Sequence, residues 1–258
     1  MSQIFKAWIL VGGLIFFLVE PTMAFDHHHS EWDSIVKRAV SWAGPSSSVD
    51  YKSLKANPKD LNQYLKSISE VKNTEFSQWT RTQQLAFLIN AYNAWTVKLI
   101  LSNYPIQSIK DIGGIFSNPW KRKFFELFGT YTSLDWIEHE KIRPQYNEPR
   151  IHFALVCASK GCPGLRDEAF ISEKISEQLE DSTGRFLNDS SKNRYESNNK
   201  KLFLSSIFKW YKDDFIKAKG SVQEFVIPYM TSARAQAKSD FSNIPIQYLD
   251  YDWRLNEK

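Results

Sequence analysis

Arg150-Ile151-His152-Phe153-Ala154-Leu155-Val156-Cys157-Ala158-Ser159-Lys160-Gly161-Cys162-Pro163 holds both cysteines of a 258-residue chain. It also holds one of the two histidines that lie beyond the N-terminal segment. Residues 151–156 form a nearly unbroken apolar run, rich in β-branched and aromatic residues and closed by small residues, Gly and Pro. Such a run predicts a strand buried on both faces. Strands of that kind deliver reactive side chains at their carboxyl ends, where the chain leaves the sheet. Chemistry is therefore expected at the cysteine turn, and the fold is expected to be arranged around it.

Upstream, the clearest element is a helix over residues 80–102. Leu85, Leu88, Ile89, Tyr92, Trp95 and Leu99 surround most of its circumference, which marks a central helix rather than a surface one; Tyr104-Pro105 ends it. Asn90 and Asn93 on this helix are expected to be buried, so they must pin a neighbouring loop or face a site. Amphipathic helices are expected over 32–42 and 61–71, with a turn-rich stretch at 44–48 between them. Residues 123–132 read as a hairpin turning at Phe128-Gly129. Thr132-Ser133-Leu134-Asp135 then resembles a capping box that opens a helix. On that helix Leu134, Ile137 and Ile142 form the apolar face, and Glu138 falls on the same face. A carboxylate there is costly unless paired, and Arg143 or Arg150 is the expected partner. His139 sits at the margin, one turn from Asp135 and Arg143.

Downstream, a helix over 171–187, an exposed polar loop over 188–199 and a strand over 201–204 are expected. A helix then runs from the Ser205/Ser206 cap to Lys219-Gly220, a Ser221-Val222-Gln223-Glu224 capping box opens another, and a final strand covers 244–253. The expected fold class is α+β: one domain, with a central apolar helix on a small mixed or antiparallel sheet and further helices around it.

Residues 1–24 read as a secretory signal: Lys6, then an apolar stretch too short for a comfortable membrane span, then small residues around Ala24. A retained anchor is the other reading. The resulting division is a signal peptide over 1–24, a polar tail and helix over 25–44, and the main domain over 45–258. The protein is expected to be exported, periplasmic or secreted, with no membrane span after cleavage. A net charge of +4, with basic and acidic residues interspersed, sets nucleic-acid binding aside. Cleavage after Ala24 would leave Phe25-Asp26-His27, with His27 third from a free amine, a pattern that suits Cu(II) or Ni(II). No cofactor is otherwise expected.

Four segments together resemble the domain-of-unknown-function family 547, found in exported bacterial proteins and in plant proteins. They are Phe87-Leu88-Ile89-Asn90-Ala91-Tyr92-Asn93-Ala94, Leu134-Asp135-Trp136-Ile137-Glu138-His139, the His152-to-Pro163 segment, and Asp250-Tyr251-Asp252-Trp253. The resemblance spans about residues 45–253 and implies a single domain without assigning an activity.

The candidate catalytic residues are Cys157, Cys162, His139, Glu138 and His152. A thiol, an imidazole and an orienting carboxylate form an activated nucleophile. On one strand His152 and Cys157 would face opposite sides, which leaves His139 to approach the sulfurs. The alternative is a local Cys157–Cys162 disulfide, and the His and Cys spacing fits no standard zinc pattern. There is no G-x-S-x-G, phosphate-cradling Gly-rich loop or H-E-x-x-H. Two functions stand: an exported cysteine-dependent hydrolase or acyl transferase acting on peptide-like or envelope material, or a non-catalytic binding domain. The expected partner is a small-molecule or peptide-like ligand.

Overall fold

The computed structural model describes residues 24–114, 117–231 and 243–258; nearly all of the segment expected to be a secretory signal lies outside them. Phe25 packs its ring against both Trp79 and Phe87. Of residues 25–29, expected as a polar tail, Phe25, His27 and His29 instead pack inward while Asp26 and His28 stay exposed; His29 is buried with Nδ1 2.7 Å from the Tyr64 hydroxyl. Helix α1 (Ser30–Ala39) presents Trp32, Ile35 and Val36 to the interior and then gives way to β1 (Val40–Ala43). Trp42 therefore belongs to a strand rather than to the helix expected over 32–42. β1 pairs antiparallel with β2 (Ser46–Val49) across Gly44-Pro45.

Helices α2 (Tyr51–Ala56), α3 (Lys59–Glu70) and α4 (Asn73–Phe76) lead into α5 (Arg81–Asn103). Thr80 opens α5 with a reciprocal capping box to Gln83, which satisfies two otherwise orphaned donors. α5 is long and apolar enough to cross a membrane, but 89% of that window is buried inside the protein. It is the axle of the larger apolar cluster, together with α1, α2 and α3.

Hairpin β3 (Phe125–Leu127) and β4 (Thr130–Thr132) turns through Phe128 and Gly129, both with positive φ. α6 (Leu134–Trp136) follows, capped by Ser133, and runs into a π-turn over Ile137–Ile142. The Arg143 N–H there reaches back five residues to the Glu138 carbonyl at 2.9 Å. A π-turn is wider than an α-turn and is frequent at functional sites. It keeps Ile137, Glu138 and Ile142 buried together.

The segment expected to be the central strand is not one. Pro149–Phe153 is a 3₁₀ turn, and both Ala154 and Leu155 donate back to the Ile151 carbonyl at 2.9 Å. Pro149 begins the turn with a preset φ and no donor to lose. Asn93 completes it: its Nδ2 donates to the Ala154 carbonyl at 2.9 Å, and its Oδ1 accepts the Val156 N–H at 3.0 Å. With the backbone satisfied by a helix side chain, no neighbouring strand is required. Asn90 holds Phe170 in the same way through both ends of its amide.

α7 (Ile175–Leu187) begins four residues later than the sequence reading placed it. The stretch expected as an exposed loop contains β5 (Arg194–Glu196) and buried Asp189 and Asn193. β6 (Lys201–Ser205) is the middle strand of a mixed sheet, antiparallel to β5 and parallel to β7 (Ile246–Leu249). Between β6 and β7 lie α8 (Ile207–Trp210), α9 (Lys212–Lys219) and α10 (Val222–Val226). The single helix expected after Ser206 is therefore two, broken at Tyr211, and the final strand is four residues long. The sheet and these helices surround a second apolar cluster containing Phe153, Phe186, Phe208, Phe215 and Phe225. Ile151 and Ala154 belong to the first cluster and Phe153 to the second. The apolar run is thus the seam between two cores. Burying a side chain the size of Phe153 contributes about 2–3 kcal/mol.

After the seam the chain turns sharply. Ala158 adopts a positive φ of 61°, and the C-terminal segment locks the turn. The Lys160 N–H donates to Arg254 O and the Gly161 N–H to Asp252 O, each at 2.8 Å. A Cβ on Gly161 would lie 3.0 Å from both the Asp252 nitrogen and the Tyr251 ring. Only glycine lets the two segments close this far.

Candidate active site

The seam, the π-turn, α8 and the C-terminal segment meet around a cleft of about 230 Å³. Its walls include Tyr92, Asp135, Glu138, His139, His152, Cys157, Cys162, Tyr211, Trp210, Tyr251 and Trp253. A larger cleft of about 450 Å³ shares Tyr251 but contains neither thiol. The smaller one therefore holds the candidate residues. Because residues 151–156 do not form a strand, His152 and Cys157 line the same cleft rather than facing apart.

Both cysteines are free, so the disulfide alternative is not formed here. The Cys157 N–H donates to Cys162 Sγ at 2.8 Å. Cys157 Sγ lies 3.1 Å from the Ser159 hydroxyl and 3.1 Å from the Tyr251 hydroxyl. These contacts separate the two thiols. Burial alone would raise Cys162, but hydrogen bonds from the Cys157 thiol, the Tyr251 hydroxyl and the backbone of Cys157 and Ser159 outweigh it and bring the thiol down to about 7. Burial and then the neighbouring Cys162 push Cys157 well up, and the Ser159 and Tyr251 contacts offset this only in part. Sulfur that accepts N–H and O–H donors is sulfur prepared to be a thiolate. Cys162 has that position.

Glu138 is buried, and its partner is neither arginine the sequence suggested. The Tyr211 hydroxyl donates to it, and burial followed by the charge of Glu138 raises Tyr211 far above a free phenol. Arg150 is committed to Glu148 and Glu180. Arg143 forks onto Asp214 with contacts of 2.7 and 2.9 Å, and its Nη1 lies 2.9 Å from His139 Nδ1. A guanidinium can only donate, so His139 Nδ1 is an acceptor and the proton of the neutral ring is on Nε2. That nitrogen is 3.7 Å from Asp135 Oδ1. His139 is therefore arranged as a donor from Nε2. His152 stacks on Tyr211 with centroids 3.8 Å apart, and its Nε2 is 2.7 Å from Asp214 Oδ2. Burial lowers His152 while Asp214 resists the change. Neither histidine hydrogen-bonds a sulfur; both share the cleft with them.

Asp214 joins these parts. Burial would raise its carboxyl, but bonds from His152 and Arg143 hold it well below the usual carboxylate range. Asp214→Ala is expected to cost about 3 kcal/mol, because it leaves a part-buried guanidinium and a buried imidazole unmatched. The contribution has a depressed folded value, so it is fully present above about pH 4 and is lost as pH falls below that. Urea midpoints of the two proteins at pH 7 and pH 3.5 measure it. A loss within about 0.5 kcal/mol at pH 7 would show that Asp214 is a surface carboxylate in practice.

The structure brings Cys157, Cys162, Glu138, His139 and His152 into one cleft, leaves Asn90 and Asn93 behind it as backbone anchors, and keeps His27 apart beside Trp79. Sequence reasoning missed Tyr211, Asp214 and the role of Tyr251. Tyr251 stood in the Asp250–Trp253 motif, whose distance along the chain from the cysteines was itself the signal; Tyr211 and Asp214 had none.

A family model described as "Protein of unknown function, DUF547" matches residues 76–187. That span contains both cysteines, Glu138, His139, His152 and both pinning asparagines, but not Tyr211, Asp214 or Tyr251. No curated protein and no solved structure matches the chain.

Proposed function

From a chain that carries the DUF547 domain, whose activity is unassigned, we propose a cysteine-dependent acyl transferase or hydrolase working in this cleft on peptide-like, envelope-derived material outside the cytoplasm. The observation that carries the reading is a pair of free thiols in one cleft with His139 and Glu138, Cys162 Sγ accepting the Cys157 N–H at 2.8 Å. A thiolate formed this way needs no adjacent imidazole to remove its proton. The sulfur of Cys162 would attack an acyl carbon, forming a thioester as the bond to the leaving group breaks. His139 Nε2–H is the donor available to the departing atom or the developing oxyanion. Glu138, with Tyr211 already donating to it, is the base for the water or amine that then cleaves the thioester. Trp120, Trp210 and Trp253 give the cleft apolar walls suited to an extended chain with few charges.

Incubating the protein with a short peptide thioester and mapping the products by mass spectrometry tests this. The expected result is a single acyl adduct on the peptide containing Cys162, absent from Cys162→Ser. No adduct would leave the non-catalytic binding domain as the better reading, and an adduct that persists in that variant would overturn the assignment of the nucleophile to Cys162.

A further inference from the structure

Among the described residues no three His, Cys, Asp or Glu side chains are grouped to hold a metal ion. A site built from backbone nitrogens escapes such a search, and the first residues of the described chain have that character. Asp26 caps α1: its carboxylate accepts the His28 and Ser30 N–H groups at 2.9 Å each, and its carbonyl accepts the His29 N–H at 3.0 Å. All three donors come from residues 28–30. Among the described residues no bond comes from the amides of Asp26 or His27, so losing those protons would break nothing in the fold. Phe25 is anchored by its ring, stacked on Trp79 at 5.3 Å and edge-on to Phe87 at 5.1 Å. The His27 ring lies 4.5 Å from Trp79, and its Nδ1 is buried with no hydrogen-bond partner. His29, by contrast, is turned inward and committed to Tyr64.

We propose that removal of the leader after Ala24 creates a Cu(II) site at the new N-terminus, made of the Phe25 α-amine, the amide nitrogens of Asp26 and His27, and His27 Nδ1. Four nitrogens in a plane are the set that Cu(II) favours. Binding releases both amide protons, and the proton of the α-ammonium where it is charged, to solvent, and satisfies the orphaned imidazole nitrogen. The ring of Phe25 and the cap of α1 hold the segment against the domain while the backbone nitrogens remain uncommitted. The site is separate from the thiol cleft and does not depend on the proposed acyl chemistry.

The test begins with the processed chain recovered from an export-competent bacterial host. N-terminal sequencing is expected to read Phe-Asp-His. Titration with Cu(II) is then expected to give one equivalent bound with the d–d band of square-planar four-nitrogen copper. His27→Gln is expected to abolish that band and His28→Gln to leave it unchanged. Circular dichroism of each variant confirms that the fold is retained. A different first residue, a processed chain without the band, or a band that survives in His27→Gln overturns the proposal.

Discussion

Cys162→Ser is expected to lower acyl transfer from a peptide thioester by about 10³-fold or more, the scale of losing a nucleophile whose partners act as a unit. A serine hydroxyl in the same place stays protonated, because the donors that hold a sulfur anion near neutrality cannot ionise an alcohol. The companion measurement is the pH profile of Cys162 alkylation by iodoacetamide, expected to have its midpoint at about 7. Tyr251→Phe removes one donor to the sulfur and should move that midpoint upward, with a matching loss of transfer rate at pH 7. Cys157→Ala should shift it in the same direction, because the Cys157 thiol is another donor. If Cys162→Ser keeps most of the activity while Cys157→Ser loses it, the roles assigned to the two sulfurs are reversed. If both variants remain active, the cleft does not use thiol chemistry.

The second large effect concerns stability in acid and rests on His29. Burial lowers this imidazole from 6.5 to about 3. Its Nδ1 is bonded to Tyr64 and its Nε2 is buried without a partner, and the charge of Asp26 offsets the cost of burying the charged ring only in part. Between these two values the unfolded chain binds a proton that the folded chain refuses. Stability from this residue is therefore fully present above about pH 6.5 and is lost as pH falls toward 3. At about 1.4 kcal/mol per pH unit, the loss amounts to about 2 kcal/mol by pH 5 and on the order of 4 kcal/mol near pH 3. His29→Gln keeps a group able to bond Tyr64 but does not titrate. Urea denaturation of both proteins at pH 7, 5 and 4 should show the wild type losing stability more steeply than the variant. Parallel curves would mean that His29 is protonated in the folded protein and that water reaches it.

The two effects arise from opposite treatments of a buried titratable group. Cys162 is surrounded by donors, and its ionised form is brought within reach of neutral pH. His29 is surrounded by aromatic rings, and its ionised form is excluded.

Local chemistry made some of this legible in the sequence. The all-round apolarity of α5, the Phe128-Gly129 hairpin and the burial of Glu138 follow from neighbours within a turn or two, where periodicity and propensity act directly. The same logic failed at residues 151–156. An apolar run enclosed on every side reads alike whether it is a central strand or a 3₁₀ turn between two cores. The choice was made by Asn93, far away in sequence, which takes up the backbone bonds that a neighbouring strand would otherwise have made. The expected arginine partner of Glu138 failed for a related reason. Arg143 and Arg150 were close along the chain, but Asp214, Glu148 and Glu180 were better placed to receive them. Which residues are candidates for chemistry was thus written in the sequence as types and spacings around the cysteine turn. How the sulfurs differ, which nitrogen of His139 holds its proton and which hydroxyl serves Glu138 were decided only when Tyr251, Arg143 and Tyr211 were folded against them, because hydrogen bonds and charges act over a few ångströms of space rather than along the chain.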